Sequence, residues 1–221
     1  MSDGLEFSPF NLFEIRGHPW LGFCVKNFSE IDGHTSSEHF VILTSPDIIA
    51  KYNSENDKSE FKPLFNTNVL LRIHSECFLS DVFGASTCDC GYQLQYSLQR
   101  IQAEKAGLVI YLRQEGRGIG LFNKMRTLAI SDELDTFKRN EAVGYKADLR
   151  DYNLVVKILR YLQITSVRLL TGSPQKVGIL RKSNISVEQE IFDYTNMKTM
   201  LSKTADAELG AKIRKGYRYI K

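Results

Sequence analysis

Short apolar runs parted by polar stretches open the chain. Phe23 to Val25, His39-Phe-Val-Ile-Leu-Thr44 and Val69-Leu-Leu-Arg-Ile73 each have strand length and composition, so about residues 1–75 are predicted to be β-rich. Between the last two runs lies the polar stretch Ile49 to Phe61. It belongs to a segment of about residues 46–66 expected to be an exposed insertion, because strand signals resume directly after it. From residue 91 the period lengthens. Leu94, Leu98 and Ile101 recur at helical spacing, with Gly107 as the expected stop. Leu108 to Leu112 is a buried-strand pattern, Ile119 to Leu134 a second helix, and Tyr152 to Leu162 a third with Leu154, Ile158 and Leu162 on one face. Val167-Arg-Leu-Leu-Thr171 is a further strand, and Pro174 starts a helix running to about Lys182. Alternating strands and helices over about residues 70–190 predict an α/β fold, a layered sandwich with a mixed, partly parallel sheet, in one domain covering 1–221. The tail of about residues 202–221 is polar and basic (Lys212, Arg214, Lys215, Arg218) and is expected to be loosely held.

Composition narrows the class. With 221 residues, 43% hydrophobic and 25% charged, the chain can bury a core, which excludes a disordered or fibrous protein. No apolar run approaches the roughly 18 residues of a membrane span. The start, Met1-Ser-Asp-Gly-Leu-Glu, lacks the basic and apolar parts of a secretory signal, so the expected location is the cytoplasm, with no membrane partner. Lys and Arg number 29 against 26 for Asp and Glu, a net charge of +3. So mild a balance gives no case for nucleic acid, although local basic clusters suit a phosphorylated small molecule.

Four cysteines, Cys24, Cys77, Cys88 and Cys90, fit poorly with paired disulfides in a chain of this size. Cys77, Cys88 and Cys90, in Arg72-Ile-His-Ser-Glu-Cys77 and Cys88-Asp-Cys90, could close on one Zn²⁺ and leave a fourth position for water, as catalytic sites do. The spacing suits equally a structural zinc completed by His74 or Cys24, or three reduced buried cysteines. Arg113-Gln-Glu-Gly-Arg-Gly-Ile-Gly120 follows a strand and opens a helix. Its glycines allow close approach of a ligand, but it fits neither a dinucleotide fingerprint nor a P-loop. Glu115 and Arg117 suggest recognition of a polar ring and a phosphate together, against an ordinary glycine-containing turn. In Gly144-Tyr-Lys-Ala-Asp-Leu-Arg-Asp151, the charged Asp148, Arg150 and Asp151 could equally be an ion pair and a helix N-cap, Asp151 being the candidate cap. Thr171-Gly-Ser-Pro-Gln-Lys176 can be a phosphate cradle or a capping turn.

Taken in order, these segments resemble the GTP cyclohydrolase II family, zinc enzymes that open the guanine ring at the start of riboflavin synthesis. The resemblance runs from about Leu70 to Glu190, with a weaker echo in Gly33 to Ser45. It rests on the motifs above together with Asp81-Val-Phe-Gly84, Gly91, Gln93, Ile119-Gly-Leu121, Asn123-Lys124, Asp135-Thr136, Asn140, Gly144 and Ala147. It implies that Cys77, Cys88 and Cys90 hold one zinc. It also implies that Arg72, Ile73, His74, Ser75, Glu76, Gln93, Glu115, Gly116, Arg117, Thr136, Thr171 and Lys176 contact GTP or a close purine nucleotide. Asp148 would accept a proton and Arg150 would attack the α-phosphorus. Mg²⁺ would accompany the triphosphate, and the protein would be a homodimer.

The chain departs from the family's pattern in several places. Leu128 replaces a usual tyrosine, Leu79-Ser80 a Thr-Gly, Thr87 an arginine, Lys138-Arg139 a Glu-Ala, and Gly172-Ser173 an Asn-Asn. A leucine can neither orient a water nor donate a hydrogen bond as a phenol can, so Leu128 points to a product that keeps its formyl group. Leu121, Met125 and Leu128 also fall at helical spacing, the bland alternative being a core stripe. Another alternative is a nucleotide-binding sensor or regulatory partner that no longer turns GTP over.

Overall fold

The computed structural model describes residues 4–28, 37–59, 61–65, 68–130, 134–195 and 202–220. The first part of the Gly33–Ser45 echo, residues 33–36, and positions 131–133 of the expected second helix lie outside the described residues. In chain order the elements are β1 (Leu5–Phe7), β2 (Asn11–Ile15), β3 (His18–Asn27), β4 (Ser37–Thr44), α1 (Pro46–Ser54), β5 (Val69–Ser75), α2 (Phe78–Phe83) and α3 (Cys90–Glu104). There follow β6 (Gly107–Leu112), a tight turn Glu115–Gly118, α4 (Gly120–Leu128), α5 (Thr136–Ala142), α6 (Asn153–Tyr161), β7 (Ser166–Leu170), α7 (Pro174–Lys182), β8 (Ser186–Glu190) and α8 (Lys203–Arg214).

The strands form one mixed sheet in the order β1-β3-β4-β6-β5-β7-β8, with β2 paired to β3. Strands β1 to β4 and the β4–β6 pair are antiparallel, whereas β6-β5-β7-β8 are parallel. This is the mixed α/β sandwich that the alternation of strands and helices predicts. One face carries a core built from α1, α6, α7 and the inward side chains of β3 to β7. The other holds Trp20, Ile42, Leu70, Val109 and Leu170 under α3 and α8.

Period-two alternation along β5 decides what reaches the site. Val69, Leu71 and Ile73 point into the first core, while Arg72 and His74 lie on the face of Leu70. Three parallel strands, β5, β6 and β7, end at Ser75, Leu112 and Leu170. The segments that follow them are therefore brought to one edge of the sheet, where open parallel sheets place their ligands.

Several expectations are corrected. The 46–66 segment is not simply an exposed insertion: α1 buries Ile48, Ile49 and Tyr52, with Phe61, in the first core, and Tyr52 Oη donates to Phe10 O at 2.9 Å. The second helix stops at Leu128, and a separate one starts at Thr136 behind the N-cap Asp135, whose Oδ1 accepts from Lys138 N at 3.0 Å. The first helix stops at Lys105, in the left-handed region, two residues before Gly107. Asp151 sits one residue before the cap of α6, where its Oδ1 still accepts from Asn153 N at 3.1 Å. The tail is not loose. Ser202 caps α8, which buries Ala205, Leu209, Ala211 and Lys212. No described helix is long and apolar enough to cross a membrane.

Candidate active site

Cys77 follows the end of β5 and precedes α2, while Cys88 and Cys90 stand at the entry to α3. Their three sulfurs lie within 4.8 Å of one another, with Cys77 Sγ 3.5 Å from Cys88 Sγ. A tetrahedral zinc with bonds of about 2.3 Å needs sulfurs about 3.8 Å apart, so the cluster has the size the ion requires. Gly91 makes the approach possible. A Cβ there would stand 2.7 Å from Ser80 O, so a side chain would push α3 off α2. The Cys88 thiol is pushed up to about 12, first by its contact with Cys77 and then by burial, against the opposing pull of Cys90. A thiophilic ion takes the thiolate form, so its arrival would have to displace the protons that burial and the neighbouring sulfurs hold in place. Neither alternative ligand joins them: His74 Nε2 faces Asp81 Oδ2 at 3.1 Å, and Cys24 is exposed on β3.

The loop behind the thiols is braced. Asp81 Oδ2 accepts from Cys77 N at 3.0 Å and Tyr111 Oη at 2.8 Å. Asp89, between the two later cysteines and almost wholly buried, pairs with Lys212 Nζ from α8. Its other oxygen accepts from Tyr194 Oη and Gln93 Nε2, both at 2.7 Å. Gln93 Oε1 in turn accepts from Arg72 NH2 at 2.7 Å, which ties the loop carrying the later cysteines to the arginine of β5.

One pocket of about 740 Å³ joins both ends. Its walls include the three cysteines, Arg72, His74, Ser75, Glu76, Gln93, Glu115, Gly116, Arg117, Leu128, Thr136, Arg150, Thr171 and Lys176. Two of the expected residues stand elsewhere. Ile73 is turned into the core, and only its carbonyl serves the site, accepting from Lys176 Nζ at 2.8 Å. Asp148 stands behind the wall, where Arg150 and Arg117 reach it. Nine Lys and Arg side chains line the pocket against four Asp and Glu, a balance that favours an anion. Arg72 Nε is buried with no partner among the described residues, a donor still open to an acceptor from a ligand. Burial, with Arg72 and Arg150 nearby, holds the Lys176 amine well below its usual range, so an arriving phosphate would favour its charged form.

The loop after β6 turns sharply. Gly116 has φ 61°, Arg117 also has φ 61°, and Gly118 has φ 93°. The left-handed arginine is held from several sides. Its guanidinium lies 4.0 Å from the Phe137 ring centre, and NH1 donates to Asp148 Oδ2 at 3.3 Å. Glu115 is also engaged within the protein: its carboxylate accepts from Phe78 N and Gly116 N, each at 2.6 Å, and from Lys124 Nζ at 2.9 Å. Thr171 Oγ1 accepts from Ser173 N at 3.0 Å and shapes the turn into α7.

Asp148 and Arg150 form a two-pronged pair. Arg150 Nε donates to Oδ1 at 2.9 Å, and NH2 donates to Oδ2 at 2.5 Å. Burial raises the carboxyl, but Arg150 and then Arg117 hold it below its ordinary value. Burial opposes charge on Arg150 too, yet Tyr152, Asp148 and Tyr217 hold it well above the usual range. The leucine stripe of α4 is not core: Leu121, Met125 and Leu128 are 39%, 49% and 38% exposed, and Leu128 opens onto the pocket. Lys124, Glu208, Lys212, Tyr217 and Tyr219 also line the wall and were missed as site residues by sequence reasoning. The spacing of Ala205, Leu209 and Lys212 on one face of a helix was the signal available for the tail.

The chain is 45% identical over 161 residues to GTP cyclohydrolase-2 of Helicobacter pylori (strain Shi470), which is 72% of this chain and 74% of that protein. It is 44% identical to GTP cyclohydrolase-2 of Helicobacter acinonychis (strain Sheeba) over the same length and the same shares. To the riboflavin biosynthesis protein RibBA of Bacillus mycoides (strain KBAB4) it is 48% identical over 124 residues, 56% of this chain and 31% of that longer protein. The sequence pattern of the GTP cyclohydrolase II family matches residues 27–192, which hold the three cysteines, the Arg-Gln-Glu-Gly-Arg loop and the Asp148–Arg150 pair, and the chain therefore belongs to that family of hydrolases.

Proposed function

We propose that this protein is a zinc-dependent hydrolase that binds GTP or a close purine nucleotide, opens its imidazole ring at C8 and releases pyrophosphate. The observation that carries this reading is the convergence of three thiols and Arg150, with Asp148 paired behind it, on one cation-lined pocket. Cys77, Cys88 and Cys90 would hold the metal, which when bound supplies a Lewis acid able to activate water at neutral pH. Arg72, Lys176, Thr171 and the backbone entering α7 would hold the phosphates, with Mg²⁺ sharing their charge. Ser75, Glu76, Gln93, Glu115, Gly116, Arg117, Thr136 and His74 would shape the remainder of the nucleotide site. Of these, Glu115 and Arg117 would act from positions already fixed by hydrogen bonds within the protein.

Arg150 would act on the α-phosphorus. In the resting pair it is a cation, and attack requires its proton to move along the 2.5 Å contact to Asp148. Leu128 offers no hydroxyl where the family usually has one, so the product would largely keep its formyl group. The chain would work as one cytoplasmic domain and as a homodimer. Exposed Val82 and Phe83 on α2, and Phe122 and Met125 on α4, supply apolar surface for such a contact. Riboflavin supply is the pathway set by the family, and a specialised pathway is what a formyl-retaining product would serve. The test is mass spectrometry of products from zinc-loaded protein with GTP and Mg²⁺. Ring-opened monophosphate bearing the formyl group, with pyrophosphate, is expected; recovery of unchanged GTP would instead identify a binding protein.

A further inference from the structure

The C-terminal segment lies beyond the region that matches the family, yet it forms one wall of the pocket. Its anchors are specific. Ser202 Oγ donates to Ser86 O at 2.6 Å, and Lys212 pairs with Asp89 between the later cysteines. After α8, Arg218 N donates to Gly172 O at 3.0 Å, Ile220 N to Phe192 O at 3.0 Å, and Tyr194 N to Ile220 O at 2.9 Å. Gly172 is what lets the segment in. A Cβ at that position would lie 2.6 Å from Arg218 O and 2.9 Å from the Tyr219 ring. Between these anchors stands Tyr217, whose Oη accepts from Arg150 NH2 at 3.2 Å. That same nitrogen donates to Asp148 Oδ2.

We infer that Tyr217 is a positioning residue for the step at phosphorus, acting through Arg150. The inference rests on the reading of Arg150 given above. A carboxylate fork fixes one edge of a guanidinium but leaves the group free to rock about that edge. A second acceptor on the shared NH2, delivered by a separate element, removes that freedom. On that reading ground-state binding of the phosphates would be spread over Arg72, Lys176 and the α7 turn, whereas the orientation of Arg150 would matter at the moment of attack. Loss of the hydroxyl should therefore lower kcat and leave KM nearly unchanged.

The experiment compares the zinc-loaded full chain with Tyr217→Phe, which keeps the ring near Tyr219 and removes only the hydroxyl. Pyrophosphate release with GTP and Mg²⁺ should fall about 10- to 100-fold in kcat, with KM within about threefold and zinc content unchanged. An unchanged kcat, or a rise in KM that accounts for the whole loss, overturns the inference. Arg150→Ala separates the two readings. Pyrophosphate release that survives Arg150→Ala removes both, whereas its loss in Arg150→Ala beside a silent Tyr217→Phe removes Tyr217 alone. Introducing Tyr217→Phe into Arg150→Lys covers any change in stability. No further drop is expected there, and a second drop of equal size would show that the phenol acts independently of Arg150 and overturn the inference.

Discussion

At the cysteine cluster, replacing Cys88 or Cys90 by serine exchanges a thiolate for a far weaker hydroxyl ligand in a site otherwise unchanged. On the proposed reading each variant should fail to hold zinc, and full occupancy in both by metal analysis would defeat the assignment. Cys24→Ser, exposed on β3, should keep the metal. Leu128 is the other residue whose chemistry decides the outcome. It opens onto the pocket from the last turn of α4, where a hydroxyl in its place would face the pocket interior. Leu128→Tyr should raise the ratio of formate to pyrophosphate, since one proton-handling group is typically worth about 10² to 10⁴ in rate. Equal formate and pyrophosphate from the unaltered protein would show that the leucine does not limit deformylation.

Among the elements, α1 and α8 share one history: both read as polar segments, and both are fixed by a few buried side chains. In α1, Ile48 is 4% exposed and packs in the first core beside Tyr52. Ile48→Ala should cost about 2 to 5 kcal/mol in denaturant unfolding, the range for emptying a buried aliphatic site. A change within about 0.5 kcal/mol would return the segment to the status of an exposed insertion. In α8 the polar composition conceals Lys212, whose charge is matched by Asp89, with Glu208 one turn back at 3.4 Å. A lysine read as solvent-facing is in fact a strut of the loop that carries Cys88 and Cys90.

The molecule as a whole carries a titratable strut on the sheet. His39 on β4 is buried, accepting from Arg113 N at Nδ1 (3.1 Å) with Ser37 Oγ 2.9 Å from Nε2. Burial, then the nearby Arg113 charge, lowers it to about 4. The unfolded imidazole titrates near 6.5, so between those values the unfolded chain binds the extra proton and stability falls as pH falls. The loss is about 1.4 kcal/mol per unit of separation. Unfolding midpoints in urea should therefore decline from about pH 6.5 toward 4, and decline less steeply in His39→Asn, whose Oδ1 can still accept from Arg113 N. Parallel slopes in the two proteins would exclude His39 as the source.

Local pattern by itself determined the alternation of strands and helices and hence the α/β class, because periods of two and 3.6 residues are written directly in the positions of Val, Leu and Ile. It also marked the three cysteines and the charged loops, since ligand chemistry and spacing are local properties. It did not determine which face of β5 each residue takes. Ile73 therefore entered the expected site, although alternation turns it away from Arg72 and His74. The partners of Glu115, Arg117 and Asp148 were likewise beyond reach, because they come from α2, α4 and the segment before α6. Most of all, only the tertiary structure decided that the tail completes the pocket. Lys212 and Asp89 stand 123 positions apart, and Tyr217 and Arg150 stand 67 apart. Contacts so distant along the chain leave no periodic trace, and they exist only because the parallel strands bring their ends to one edge of the sheet, where the C-terminal segment closes over them.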